Sequence, residues 1–76
     1  MFLFSIALKY FKSGCKIQHK HWHKDYYIFI ENEEIIDSLG NLYYPNVTEY
    51  ISANKTILDA AGFVWDIYDD DLDPYL

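Results

Sequence analysis

Three histidines, His19, His21 and His23, stand at alternate positions around Trp22, with Lys16, Lys20 and Lys24 interleaved and Asp25, Tyr26 and Tyr27 following. Two histidines at i and i+2 on one strand can both reach a zinc ion, and a carboxylate such as Asp25 could complete a site. The third histidine lies about 13 Å from the first along a straight strand, at roughly 3.3 Å per residue, so one ion cannot take all three. The histidines read as strand residues with partial exposure, and no metal is expected. Trp22 with His23, Tyr26 and Tyr27 offers different chemistry. Aromatic faces stack on nucleobases, and Lys20 or Lys24 would meet a phosphate as a point charge. The competing reading, which composition by itself favours, places Trp22 in the core and leaves the lysines as solvated guards of a strand edge.

Nothing else in the chain anchors an enzyme. Cys15 follows Gly14 at the end of an expected helix, not at the helix N-terminus that would activate a thiol, and reads as packing. The three glycines form no phosphate-binding loop, and no serine sits in a nucleophile motif. The run Asp69–Asp73 could imitate a row of nucleic-acid phosphates, but a solvated tail is the ordinary meaning of such a run.

These residues must be held by a small framework. Phe4, Ala7, Leu8 and Phe11 recur at i, i+3, i+4 and i+7, which predicts an amphipathic helix over 4–13 with Lys9 and Lys12 on its other side. Gly14 suits its end. Strands follow at 16–22 and 26–31, turning at His23–Asp25. Alternation in the first puts Ile17, His19 and His21 on one face and Gln18, Lys20 and Trp22 on the other. Residues 32–34 read as a tight turn, 34–37 as a strand, 38–41 as a turn and 42–44 as a further strand, an antiparallel ladder. Pro45 and Asn46 break it. Thr48 or Ser52 could cap a helix, read as a short one over 55–61 with Ile57, Leu58 and Ala61 inward and Gly62 at its end. A last strand spans 63–68, and 69–76 is an acidic tail. The fold class is α+β: an N-terminal helix packed on a twisted antiparallel sheet, with a short second helix before the last strand, all in one domain over residues 1–76.

With 76 residues and one cysteine, no internal disulfide can form, so support must come from a heavy core or from self-association. A content of 20% aromatic residues supplies the first and makes the second expected. A lone cysteine also favours a reducing compartment. Residues 1–24 carry five lysines and no acids, whereas 25–76 carry twelve acids and one lysine, giving +5 and −11. An acidic chain is a poor nucleic-acid binder, yet a small anion touching only the basic third would feel mainly that third, because screening sets in within about 8–10 Å. Neither an export signal nor a run of about 20 apolar residues for a membrane span is read, so a cytoplasmic setting is expected.

Taken in order, these features resemble a family of small bacteriophage proteins, the second type of Thoeris anti-defence protein. The resemblance rests on Phe4, Ala7, Leu8 and Gly14 in the first helix, then on the segment from Lys16 to Trp22. It continues through Tyr26-Tyr27-Ile28-Phe29-Ile30, and ends with Ile57-Leu58 and Trp65-Asp66-Ile67-Tyr68-Asp69. It spans nearly the whole chain. His19 stands where the family usually has Arg, His21 where Gly is frequent, and His23-Lys24 where Asn-Gly is common. The closing motif is stretched, so Phe63 or Trp65 takes the family's Trp position. The resemblance implies a sponge, a non-enzymatic protein that binds a cyclic ADP-ribose-type immune signal and withholds it from its effector in the cytoplasm of an infected bacterium. It further implies homo-oligomers, dimers or tetramers, with pockets shared between protomers, and an extension in some relatives to cyclic dinucleotides. On this reading there is no cofactor and no direct nucleic-acid partner. Trp22 stacks a base and His19 or Lys20, on opposite strand faces, meets a phosphate. Tyr27, His23 and Asp25 line the mouth, and Trp65 is either core or a second wall. The alternative is an acidic inhibitor that binds a CRISPR or nuclease complex through its C-terminal end.

Overall fold

The computed structural model describes residues 1–68; the acidic run Asp69–Asp73 and the rest of the tail lie outside the described residues. Helix α1 (Phe4–Lys12) is followed by strands β1 (Lys16–His19), β2 (Ile28–Glu31), β3 (Glu34–Asp37) and β4 (Leu42–Tyr44), helix α2 (Val47–Ala60) and strand β5 (Trp65–Tyr68). The architecture is α+β. The five strands form one antiparallel sheet in the order β4-β3-β2-β1-β5. α2 thus carries the chain from one edge of the sheet to the other.

α1 forms because its apolar residues recur on one face, and Phe4, Ala7 and Phe11 are buried there. It stops in a Schellman turn. The Gly14 N–H donates to the Phe11 carbonyl at 3.2 Å and the Cys15 N–H to the Tyr10 carbonyl at 2.9 Å. That turn needs the left-handed backbone at Gly14, φ +103°. Lys9 and Lys12 in the last turn face the negative end of the helix dipole.

The β2–β3 hairpin turns on Asn32 and Glu33 alone, both with positive φ (51° and 67°), the two-residue geometry whose twist matches the flanking strands. Its Glu33 carbonyl accepts the Val47 N–H at 2.8 Å, which ties the start of α2 to the hairpin tip. Asp37, buried at the end of β3, accepts the Leu39 and Asn41 N–H groups on Oδ1 and the Tyr26 hydroxyl on Oδ2, which fixes the β3–β4 turn.

Both helices pack on one face of the sheet. Phe4, Ala7 and Phe11 of α1, Ile17, Ile28, Ile35 and Trp65 of the sheet, and Tyr50 and Leu58 of α2 form one buried core. Alternation places Tyr27, Phe29, Ile36, Leu42 and Tyr68 on the opposite face. There Tyr27 stacks on Tyr68 at 4.4 Å and lies 6.2 Å from Phe29, while Leu42 is 54% exposed.

The structure moves several boundaries. α2 runs over 47–60, much longer than the expected 55–61, because Asn46 caps it: its side-chain Oδ1 accepts the Glu49 N–H at 3.0 Å. Neither Thr48 nor Ser52 is the cap. β1 ends at His19, not at residue 22, and β2 starts at Ile28, so residues 20–27 form a loop. The last strand starts at Trp65.

Candidate functional site

β1 closes with His19 directly opposite Trp65 on β5. Trp65 is held on its other side by Phe2, whose N–H donates to the Trp65 carbonyl at 2.6 Å and whose carbonyl accepts the Trp65 N–H at 3.1 Å. The chain then turns sharply, and the Trp22 N–H donates to the His19 carbonyl at 3.0 Å. This turn is why strict alternation fails beyond His19. It returns Trp22 to the His19 side of the sheet, with ring centroids 5.9 Å apart, where a continuous strand would have separated them.

The loop is clamped by Gln18. Its Nε2 group faces the carbonyls of His23 (3.1 Å), Lys24 (2.7 Å) and Tyr26 (2.9 Å), three acceptors sharing two protons. Trp22 then meets Trp65 (5.5 Å, 89°), Tyr26 (5.2 Å, 83°) and Tyr43 (6.0 Å, 62°) edge to face, the preferred geometry for aromatic quadrupoles. Trp22 is therefore half-buried and braced by other rings, not a platform standing free of the protein.

Beside this cluster opens a cleft of about 280 Å³. His19, Trp22 and Trp65 form one wall and Tyr43 of β4 the end. The other wall is α2, through Tyr50, Asn54, Leu58, Ile57 and Ala61. The positions 50, 54, 57, 58 and 61 are one helical stripe, so a single face of α2 lines the cleft. Ile57 is 71% exposed at its rim, whereas Trp65 is buried and serves as core and wall at once.

The electrostatics of the cleft are unusual for a site expected to hold an anion. Among the described residues, none that lines the cleft is an acid, a lysine or an arginine. The His19 pKa is lowered, chiefly by burial and then by the neighbouring His21 and Lys20, so the imidazole is held neutral. Burial, with Tyr43 beside it, raises the Tyr50 hydroxyl pKa well above its ordinary value. The Trp65 indole N–H is buried with no hydrogen-bond partner among the described residues, and the Trp65 ring meets Phe4 and His19 edge to face, with centroids 5.4 and 5.3 Å away.

Of the residues nominated from sequence, His19, Trp22 and Trp65 come together. The others do not. Lys20 is exposed at the strand end, its N–H bonded to the Val64 carbonyl at 2.8 Å, and it does not line the cleft. His23 and Asp25 border a separate, shallower hollow of about 310 Å³ with Tyr26, Ser38 and Leu39. Tyr27 lies on the far face of the sheet with Lys16 Nζ 5.1 Å above its ring. Among the described residues no three His, Cys, Asp or Glu gather into a metal-ligand set, and no helix is long and apolar enough to cross a membrane. Of the α2 wall, the sequence shows Ile57, Leu58 and Ala61 but not Tyr50 and Asn54, which join the same stripe only because the helix starts at Val47. No protein-family model matches the chain, and no curated protein and no solved structure matches it significantly.

Proposed function

We propose that this protein is a sponge: it binds a cyclic nucleotide signal of the cyclic ADP-ribose type and holds it uncleaved, as the resemblance to the second type of Thoeris anti-defence protein implies. The observation that supports this reading most is the aromatic cleft between α2 and the His19–Trp22–Trp65 cluster. It is concave, mostly apolar and furnished with few polar groups, the usual character of a small-molecule site.

The size of the cleft shapes the proposal. At about 280 Å³ it lies at the lower end of the roughly 300–1,000 Å³ of small-molecule sites, room for a heterocycle and part of a sugar. The remainder of a cyclic dinucleotide-sized ligand needs a further surface, and a second copy of the chain supplies it. Homo-oligomerisation, as a dimer or a tetramer, is therefore part of the proposal. The setting is the cytoplasm of an infected bacterium, and the effect is withdrawal of the signal from its effector. Mixing the protein with cyclic ADP-ribose, then denaturing it by heat, tests the reading: intact cyclic ADP-ribose returns to solution. Recovery of a hydrolysed product makes the protein an enzyme instead, and absence of any retained nucleotide removes the sponge.

A further inference from the structure

We infer that the cleft takes the uncharged heterocycle of its ligand and reads it with one donor, His19 Nε2–H, and one acceptor, Asn54 Oδ1, while any phosphate stays outside. This inference rests on the sponge reading for the identity of the whole ligand, but not for the chemistry of the cleft.

The tautomer of His19 follows from its bonding. The His21 N–H donates to His19 Nδ1 at 3.1 Å, so Nδ1 carries the lone pair. In a neutral imidazole the proton then sits on Nε2, which is a donor. Nδ1 is turned back to the chain, Nε2 is at the outer edge of the ring, and Nε2 has no partner among the described residues. Asn54 is assigned the same way. Its Nδ2 donates to the Tyr50 carbonyl at 2.9 Å, which only the amide nitrogen can do, so Oδ1 is left as an acceptor with no partner among the described residues. These two groups stand on opposite walls of a cleft whose other polar side-chain groups, the Tyr43 and Tyr50 hydroxyls, are engaged with each other, the rest of the described lining being rings and aliphatic carbons.

A phosphate fits such a place poorly. Without an opposing charge, moving an anion out of water costs far more than a single neutral donor returns. Lys20, next to His19 in sequence, is exposed and is not among the described lining residues, and Lys55, next to Asn54, is paired with Asp59 at 2.9 Å. A neutral planar base meets neither obstacle. Adenine presents a ring-nitrogen acceptor beside an amino donor on one edge. It complements a donor on one wall and an acceptor on the other, and its π-faces lie against the aromatic lining.

The test titrates three probes in parallel by calorimetry: adenosine, ribose 5-phosphate and cyclic ADP-ribose. The proteins are the unaltered chain, His19→Phe, which keeps a ring, and Asn54→Ala, each with its melting curve recorded. Adenosine is expected to bind and ribose 5-phosphate is not. Each substitution is expected to weaken adenosine about three- to tenfold, the effect of one neutral hydrogen bond, with a melting transition retained. Ribose 5-phosphate binding as tightly as adenosine overturns the inference. So does cyclic ADP-ribose binding equally to all three proteins, a result that leaves the sponge reading standing. Adenosine binding that both variants weaken, with no binding of cyclic ADP-ribose, upholds the inference and removes the sponge. Silence from all three probes removes both.

Discussion

The imidazole of His19 meets the indole of Trp65 edge to face, with centroids 5.3 Å apart and planes at 82°. The two residues are direct partners across β1 and β5, so their rings share one face of the sheet by register. That contact carries the aromatic cluster from the core to the lip of the cleft. On one side Trp65 packs edge to face on Phe4 of α1; on the other His19 and Trp22 reach the opening. The site is thus continuous with the core, and changes to its wall act on folding as well as on binding.

Gln18 offers the cleanest separation of the two effects. Gln18→Ala removes the donor that gathers the His23, Lys24 and Tyr26 carbonyls, in a loop that is largely solvated. Water can replace those bonds, so the expected loss of stability is about 1–2 kcal/mol by urea denaturation. Trp22, no longer pinned by its loop, should show a red-shifted fluorescence emission, and ligand affinity should fall with it.

Acidification should destabilise the protein in two stages. The lowered His19 pKa means that the unfolded chain takes up a proton more readily than the folded one. Its contribution is complete above the ordinary value of 6.5 and is lost as pH falls below it towards the folded value. Asp37 follows at lower pH. The Asn41 N–H above all, with the Tyr26 hydroxyl and Leu39 N–H, holds its carboxyl below 3.8 despite burial. Stability from Asp37 is present above 3.8 and is lost as pH drops through the folded value. Urea midpoints measured from pH 8 to pH 3 should fall in both windows, and Asp37→Asn should flatten only the lower one. Burial, together with the bond to Asp37, also pushes the Tyr26 hydroxyl up to about 12, so it stays a donor across this range.

Much of this framework was legible in the sequence. The first helix shows through Phe4, Ala7, Leu8 and Phe11, and the hairpin strands through their dense β-branched and aromatic residues, because local periodicity reports directly on burial there. Two features were not. The turn after His19 is closed by the Trp22 N–H on the His19 carbonyl, and its loop is clamped by Gln18, whose amide reaches backbone carbonyls that no residue pattern reveals. The extent of α2 depends on Asn46, which follows Pro45 and was read as part of a break when it is the cap. Without those two bonds, strict alternation puts Trp22 on the face opposite His19 and leaves Tyr50 and Asn54 outside the helix.

Glu33 carries a strained backbone, with φ 67° at a residue that has a Cβ. Glycine adopts this conformation freely, and the left-handed region costs other residues roughly 1–2 kcal/mol, part of which is returned by the entropy of the unfolded glycine. Glu33→Gly should therefore stabilise the protein by about 0.5–1 kcal/mol. It also removes one of three acids at a tip where Glu31 and Glu34 already face each other across the hairpin. Thermal melts at low and high salt separate the two contributions, since only the electrostatic part is screened.

To complete the pocket a second copy must meet the protein at the rim of the cleft, where Ile57 is 71% exposed. Ile57→Lys should shift the mass measured by light scattering from an oligomer to a single chain while leaving the helical circular dichroism signal in place. An unaltered protein that already scatters as a single chain contradicts the shared-pocket proposal.

A chain ending at Tyr68 should bind as the full chain does, because the cleft is walled by His19, Trp22 and Trp65 on one side and α2 on the other, all before that point. Loss of cyclic ADP-ribose binding on this truncation, by calorimetry, would assign part of the site to the acidic end.

A crystal structure grown with cyclic ADP-ribose tests the central claim most directly. The account predicts the heterocycle within the cleft, between α2 and the His19–Trp22–Trp65 cluster, uncleaved and with its phosphates outside. Ligand density in the His23–Asp25 hollow or on the Tyr27 face, or an empty cleft at saturating nucleotide, would contradict it.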